Sequence, residues 1–521
     1  MTGTAAVATG PVTGSARVGR GPLGLGLVGV SVGLVAVTGG LGESAATRML
    51  GSGGRWPPYA LPGHPSPWLV TLLLVAATLT GTAGSLLAWS ALARGWAPPP
   101  RRLLAAGLVA AFALLLVPPT SSDDLYSYTA YGRIAALGRD PYTTAPADLG
   151  DDPVGREAGD PWRDQPSVYG PLATWEQELA LRVAGPDPRA AAALLALASA
   201  VAFGGVGLLL HRAAGTAAAQ RRAALLWTLN PLLLLHLVAG AHVDALPVLL
   251  TVAGVLAWRR RPFVAGLLGG AAVGVKLSGA LAAAALAWTE LRNGVPIGHR
   301  TPGAAATSPA AAPAPATSPA AAPPAAGRRR LALLVLGGVL VTPPAYLLAG
   351  GLQALGPVRR ASRFVSFGSP WRALSVPLDH FGVPRAVVST LSLLVVATFV
   401  VLLSRGLSSG PDTSPAVRAT AVATLAWLLG ATYVLPWYDA WAWPLLALLP
   451  ASRWDRWLAV RTAVLTLAYL PGRIVPMPPL LGSLLFHLRA HVTPVALGLL
   501  LVVAVRWCRA PARHGAQGGP A

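Results

Sequence analysis

The run Ser121-Ser122-Asp123-Asp124-Leu125-Tyr126-Ser127-Tyr128 places two adjacent carboxylates just beyond an apolar stretch that ends at Pro118-Pro119. Neighbouring acids at the edge of hydrocarbon are costly unless they pair or do chemistry. Beside a dry cavity, one of them would hold its proton more tightly than usual. It could then act as a general base toward an attacking hydroxyl. The same residues also read as a helix start, with Ser or Asp as cap and the acids favoured by the helix dipole. The two readings are compatible.

Other side chains could join them. Gly138-Arg139-Asp140-Pro141-Tyr142 closes the helix that follows, and Val168-Tyr169-Gly170-Pro171-Leu172 opens another, with Gly and Pro as turn formers. Tyr126, Tyr128 and Tyr169 offer aromatic platforms, and Trp162, Trp175, Glu176 and Glu178 share that character; a packed loop cap would use the same residues. Gly240-Ala241-His242-Val243-Asp244-Ala245 sets an imidazole two residues from a carboxylate, a pair able to ligate a cation, orient a phosphate or satisfy itself as a cap. With one cysteine and no third ligand in sight, a zinc site is not indicated. Lys276, Arg359, Arg360 and Arg363 are candidate anion receptors, because guanidinium forks match phosphate geometry. Lipid headgroups at the interface would attract the same cations. In Pro436-Trp437-Tyr438-Asp439-Ala440-Trp441-Ala442-Trp443 an aromatic belt accounts for Trp441 and Trp443, and Trp437, Tyr438 and Asp439 are left as candidates to hold a substrate or a cation.

The elements that must position these groups are membrane helices. Only 11% of the 521 residues are charged and 54% are hydrophobic, with a mean hydropathy of +0.57. About 25% charge is usual for a soluble domain. The net charge of +21 sits in clusters such as Arg101-Arg102, Arg221-Arg222, Arg259-Arg260-Arg261 and Arg328-Arg329-Arg330, each flanking an apolar run. That is the positive-inside pattern of membrane insertion rather than a nucleic-acid surface. The chain is therefore expected to be an all-α polytopic membrane protein, one domain with about 12 to 14 transmembrane helices, its N-terminus cytoplasmic.

Apolar runs are expected at about 22–42, 68–91, 103–119, 190–210, up to 240 after Arg221-Arg222, and on to Arg259. Further runs fall at about 331–350, 386–404, 419–435, 440–452, 457–471 and 492–506. Between the third and fourth, residues 120–189 form an extracytoplasmic loop holding twelve of the nineteen acids. A second outer loop spans 351–385. Asn230-Pro231 interrupts the fifth run. Pro262–Trp288 is flanked by arginines at both ends and is too short for two full spans. It reads as two half-helices bent near Gly274-Val275-Lys276, with Lys276 at the apex. The Gly-rich stretch Gly266–Gly274 reads as close helix packing. Residues 301–327, nearly all Ala, Pro, Thr and Ser, read as a disordered cytoplasmic linker.

Taken together, these motifs resemble a known family. Asp124-Leu125-Tyr126-Ser127-Tyr128, Gly138–Tyr142, Tyr169-Gly170-Pro171-Leu172, Asn230-Pro231, Gly240–Ala245, Lys276 and Leu435-Pro436-Trp437-Tyr438 are similar, in consistent order over roughly residues 110 to 445, to actinobacterial polyprenol-phosphomannose-dependent α-1,6-mannosyltransferases. These are MptB-like membrane glycosyltransferases of the C-type (GT-C) fold. The resemblance implies an inverting transfer of mannose from a polyprenyl-phosphate donor to a glycan or glycolipid acceptor, at the extracytoplasmic face of a bacterial plasma membrane. It implies Asp124 as catalytic acid/base, with Asp123 second, and fixes no cofactor, a divalent cation being left open. Val243 departs from the small polar residue, usually Asn, expected between His242 and Asp244, which leaves the acceptor open. A different sugar on the same carrier, or a lipid or solute transporter, are the competing readings. No internal two-fold repeat supports the transporter.

Overall fold

The computed structural model describes residues 19–50, 57–293, 324–407, 410 and 413–509, and these are helical with irregular connections. The expected linker lies, up to residue 323, outside the described residues. Six helices are long and apolar enough to cross a bilayer: Arg20–Gly40, Pro67–Ala93, Pro188–Ala213, Gly327–Leu348, Arg385–Gly406 and Pro479–Arg509. Ala217–Leu226 and Pro231–Ala239 make a seventh if counted as one span bent by 43°. Shorter apolar helices, among them Ala245–Ala257, Pro262–Val275 and Pro415–Gly430, complete the bundle. The chain is a multi-pass membrane protein, and the dozen or so expected spans are reached only by counting these shorter helices.

The bend has a local cause. Pro231 has no amide hydrogen, and Asn230 Oδ1 instead accepts from Leu232 N and Leu233 N, at 3.2 and 3.4 Å, capping a new helix. Close packing has one too. A Cβ on Gly24 would meet Ala88 N and Gly84 O at 2.7 Å, and one on Gly270 would meet Gly338 O at 2.8 Å. Small residues let backbones approach where lipid offers no hydrophobic drive between helices, as the glycines of Gly266–Gly274 led us to expect.

Two differences from the sequence reading matter for the site. The run near 440–452 is no continuous span: it is a 3-10 turn Pro436–Trp441 and a single helical turn Trp443–Ala447. The proline at each start and the tryptophans packed around them favour short turns over one long helix. The last helix begins at Pro479, not near 492, and carries a π-helical turn at Leu488–Val492.

The hairpin read from 262–288 is present. Pro262–Val275 ends at an extended Lys276, and a 3-10 turn, Leu277–Gly279, leads into Ala280–Asn293. Each half has 14 residues, about 21 Å at 1.5 Å per residue, short of a ~30 Å hydrocarbon core. Around the Lys276 end sits a polar cap built from residues 120–189. Its helices Asp124–Ala136 and Pro171–Ala184 close on their own core, which includes Leu125, Tyr131, Ile134, Leu181 and Leu195. The other expected loop, 351–385, holds two short helices, Gly356–Ala361 and Arg372–His380.

Candidate active site

Asp124 begins its helix, and its amide is held by Ser122 Oγ at 3.1 Å. Asp123 occupies the cap position, yet its side chain makes no capping bond. It pairs instead with Arg473 Nε at 3.0 Å and Arg48 at 3.5 Å. The two neighbouring acids thus separate: Asp123 is tied down by two guanidiniums, and among the described residues Asp124 has no Lys or Arg partner of its own.

Asp124 lies 9% exposed, with Oδ2 3.6 Å from His242 Nδ1. That nitrogen is also within 3.3 Å of Tyr128 OH, which is followed by Tyr169 OH at 3.4 Å. His242 is fully buried and stacked on Trp437 with ring centroids 3.7 Å apart; among the described residues its Nε2 finds no partner. Burial, with His236 and Lys276 nearby, holds the imidazole well below its ordinary pKa, so it is neutral. Burial likewise pushes the Asp124 carboxyl up to about 7, against the opposing pull of Lys276 and with the support of Asp123 and Asp244. A carboxylate of that pKa suits a general base at neutral pH.

Lys276, at the apex of the bent hairpin, gives its ammonium to both oxygens of the fully buried Asp244, at 2.9 and 2.8 Å. Trp441 Nε1 donates to the same carboxylate at 2.8 Å. Tyr438 covers the ammonium, 4.6 Å from its ring centre. The carboxylate is therefore committed. Among the described residues, no three His, Cys, Asp or Glu side chains converge as a metal-holding group. His242 and Asp244 stand behind Asp124 and Lys276 and fix them.

Backbone strain marks the same place. Ser121 and Ala241 have φ of +74° and +48°, a region uncommon for residues other than glycine. They lie just before Asp123-Asp124 and His242. Sequence gives no sign of either turn.

These groups open into one cleft of about 2000 Å³. Asp124, Tyr169, Lys276, Trp437, Tyr438 and Arg473 line its polar end. From there it runs between helices Ala280–Asn293, Arg385–Gly406 and Pro415–Gly430, past Leu281, Trp288, Val396, Val400, Val422 and Trp427. Its wall reaches from Arg385 to Ser404 along one helix, most of the roughly 33 Å that 22 residues span.

Not every candidate is brought here. Arg359, Arg360 and Arg363 are exposed and do not line the cleft; they sit on and just after a short helix whose other face packs. Asp439 is fully buried on the far side of its turn, held by Arg461 and by Thr462 Oγ1 at 2.8 Å. Tyr126 is buried too, its hydroxyl reaching Arg48 O at 3.4 Å. In their place the cleft has Arg473 and Arg489, which the sequence reading passed over. Arg489 Nε donates to Ala468 O at 2.8 Å and Nη2 to Tyr469 O at 3.4 Å.

Comparison with known proteins identifies the family. The sequence matches the family described as alpha-(1->6)-mannopyranosyltransferase, N-terminal domain, over residues 25–292, just over half of the chain. It is 29% identical over 174 residues to alpha-(1->6)-mannopyranosyltransferase A of Corynebacterium glutamicum, covering 33% of this chain and 35% of that protein. It is 36% identical over 140 residues to an alpha-(1->6)-mannopyranosyltransferase of Mycobacterium tuberculosis, covering 26% and 23%. The chain thus spans about a third of the first relative's length and about a quarter of the second's. Among solved structures, the archaeal oligosaccharyltransferase AglB from Archaeoglobus fulgidus aligns with 78% of this chain and 56% of its own, at 14% identity and a TM-score of 0.36. A likeness that low carries no argument.

Proposed function

The chain belongs to the alpha-(1->6)-mannopyranosyltransferase family, and from that premise we propose that it moves mannose from a polyprenyl-phosphate donor to a hydroxyl of a glycan or glycolipid. The transfer takes place at the extracytoplasmic rim of a bacterial plasma membrane. The observation that carries this reading is the juxtaposition of Asp124, nearly buried and backed by His242, with Lys276 at the head of an apolar groove as long as a bilayer is thick.

The groove receives the polyprenyl chain, whose burial against Leu281, Val396 and Trp427 is favourable at roughly 25 cal/mol per Å² of apolar surface. The phosphate then lies beside Lys276 and Arg489, whose positive charge meets the negative charge that develops on it. The acceptor hydroxyl enters from the polar end. Asp124 takes its proton as the oxygen bonds to the anomeric carbon, the bond from that carbon to the phosphate oxygen breaks, and polyprenyl phosphate departs with the bonding pair. Attack opposite to the leaving group inverts the anomeric configuration. His242, Tyr128 and Trp437 hold Asp124 in place, a positioning effect that enzymes use to lower barriers by several kcal/mol.

The test is full-length protein in lipid vesicles with radiolabelled polyprenyl-phosphate mannose and a short mannoside, with glucosyl and arabinosyl donors as competing arms. Mannosyl transfer by the wild type, and its loss by at least about 100-fold in Asp124→Asn, is the expected result. Normal activity in the variant removes Asp124 from the chemistry. A wild type that uses another sugar, or transfers none, overturns the donor or the activity.

A further inference from the structure

The acids around the cleft are nearly all spoken for. Asp123 is paired with Arg473 and Arg48, Glu157 with Arg48, Asp152 with Arg133 and Asp244 with Lys276. Asp124 faces His242. Asp160 differs. It lines the cleft and is exposed, and among the described residues its carboxylate has neither ion pair nor hydrogen bond.

Two residues on, Trp162 also lines the cleft, half-buried. Its amide donates to Gly159 O at 3.1 Å, closing a tight turn, but its indole has no hydrogen bond and touches no other ring among the described residues. Trp227, Trp371, Trp441 and Trp457, by contrast, each donate Nε1 to a protein acceptor. A free carboxylate and a free indole therefore stand together on one turn at the mouth of the site.

That turn lies against the reacting groups. A Cβ on Gly159 would be 3.1 Å from Asp123 Oδ2, and Asp123 adjoins Asp124. The glycine lets the turn seat on the paired Asp123, which leaves Asp160 and Trp162 on the solvent side of the rim. A hexopyranose has one C–H face that suits an aromatic ring and an edge of hydroxyls that a carboxylate accepts in pairs. Pockets of this kind join an aromatic wall to a few convergent polar groups.

We infer that Asp160 and Trp162 form an acceptor subsite for a hexopyranosyl residue, Trp162 stacking on the ring and Asp160 accepting from two of its hydroxyls. This rests on the transferase reading for the role of that sugar as acceptor, but not for its binding. The subsite places the acceptor on the water side of Asp124, opposite the groove that receives the lipid.

The experiment uses full-length protein in nanodiscs and two measurements. The first is saturation-transfer NMR with α-1,6-linked mannobiose and no donor; the second is acceptor KM and donor KM in the vesicle assay. Trp162→Ala is expected to abolish saturation transfer and raise acceptor KM at least tenfold, with donor KM constant. Trp162→Phe should recover most of that loss, and Asp160→Asn should raise acceptor KM several-fold. Mannobiose bound equally by wild type and Trp162→Ala overturns the subsite. So does an equal rise in both KM values, or a thermal destabilisation of Trp162→Ala with binding intact, which assigns the indole to the membrane interface. A wild type that binds mannobiose yet transfers no mannose refutes the transferase reading and leaves the subsite standing.

Discussion

Lys276 gives its ammonium to both carboxylate oxygens of Asp244, at 2.9 and 2.8 Å, across a gap in sequence of 32 residues. Asp244 is fully buried, so this contact fixes the apex of one bent hairpin against the end of another helix. Removing one partner of such a pair strands a buried charge, which typically costs about 3–5 kcal/mol, whereas replacing both by apolar groups costs far less. Lys276→Met is therefore expected to lower the thermal midpoint in detergent markedly. Lys276→Met with Asp244→Leu should recover most of the loss while staying inactive. A single variant as stable as the wild type would show the pair to be incidental.

The protonation of Asp124 sets a pH window. Its carboxyl, held up to about 7 chiefly by burial, must be ionised to accept a proton, so transfer should rise from pH 5 and level off above neutrality. Stability should move the other way. Between the ordinary carboxyl range and pH 7 the folded protein keeps a proton that the unfolded chain has lost, so this residue's contribution falls as pH rises through that window. Asp124→Asn should abolish the chemistry and flatten this part of the stability profile. Transfer that is flat from pH 5 to 8 would contradict the assignment.

The donor's phosphate should report on Arg489 and not on the exposed arginines. A hydrogen bond to a charged group contributes about 1.5–3 kcal/mol, or about 10- to 100-fold in affinity. Arg489→Ala is expected to raise donor KM by that factor, with acceptor KM unchanged. Arg359, Arg360 and Arg363 together changed to Ala should alter donor KM by less than about twofold, since they are exposed and off the cleft. The opposite ranking would move the phosphate to the second loop.

How far the sequence could be read depended on the distance over which each contact acts. The bend at Asn230-Pro231 and the hairpin with Lys276 at its tip are local consequences of backbone chemistry, and both are present. The separate fates of Asp123 and Asp124 are not local. Asp123 is claimed by Arg473, 350 residues away, and nothing near it in sequence announces the partner. Asp439 shows the reverse: among aromatics it reads as a site residue, but the short 3-10 turn that replaces a span aims it at Arg461. Arg489 is not legible from the sequence because the apolar start of the last helix lies at Pro479, well before the run at 492. With that helix extended, Arg489 falls on a π-helical turn beside the cleft.

Gly170 supplies a test of how rigidly the Lys276 apex must be held. Its amide donates to Val275 O at 3.0 Å, and a Cβ there would collide with Gly274 O and come within 3.3 Å of Tyr346 OH. Gly170 has an ordinary backbone conformation, with φ of −75°, so glycine is needed for space and not for torsion. Gly170→Ala must push the loop away from Gly274-Val275 and with it the backbone that carries Lys276, a strain of about 1–3 kcal/mol. We expect a lower thermal midpoint and a raised donor KM. Gly26→Ala, in a helix with nothing within 4 Å of the added carbon, should be neutral or slightly stabilising. If Gly170→Ala keeps donor KM at the wild-type value while the midpoint falls, the turn at Lys276 tolerates displacement. The phosphate would then be held mainly by the arginines.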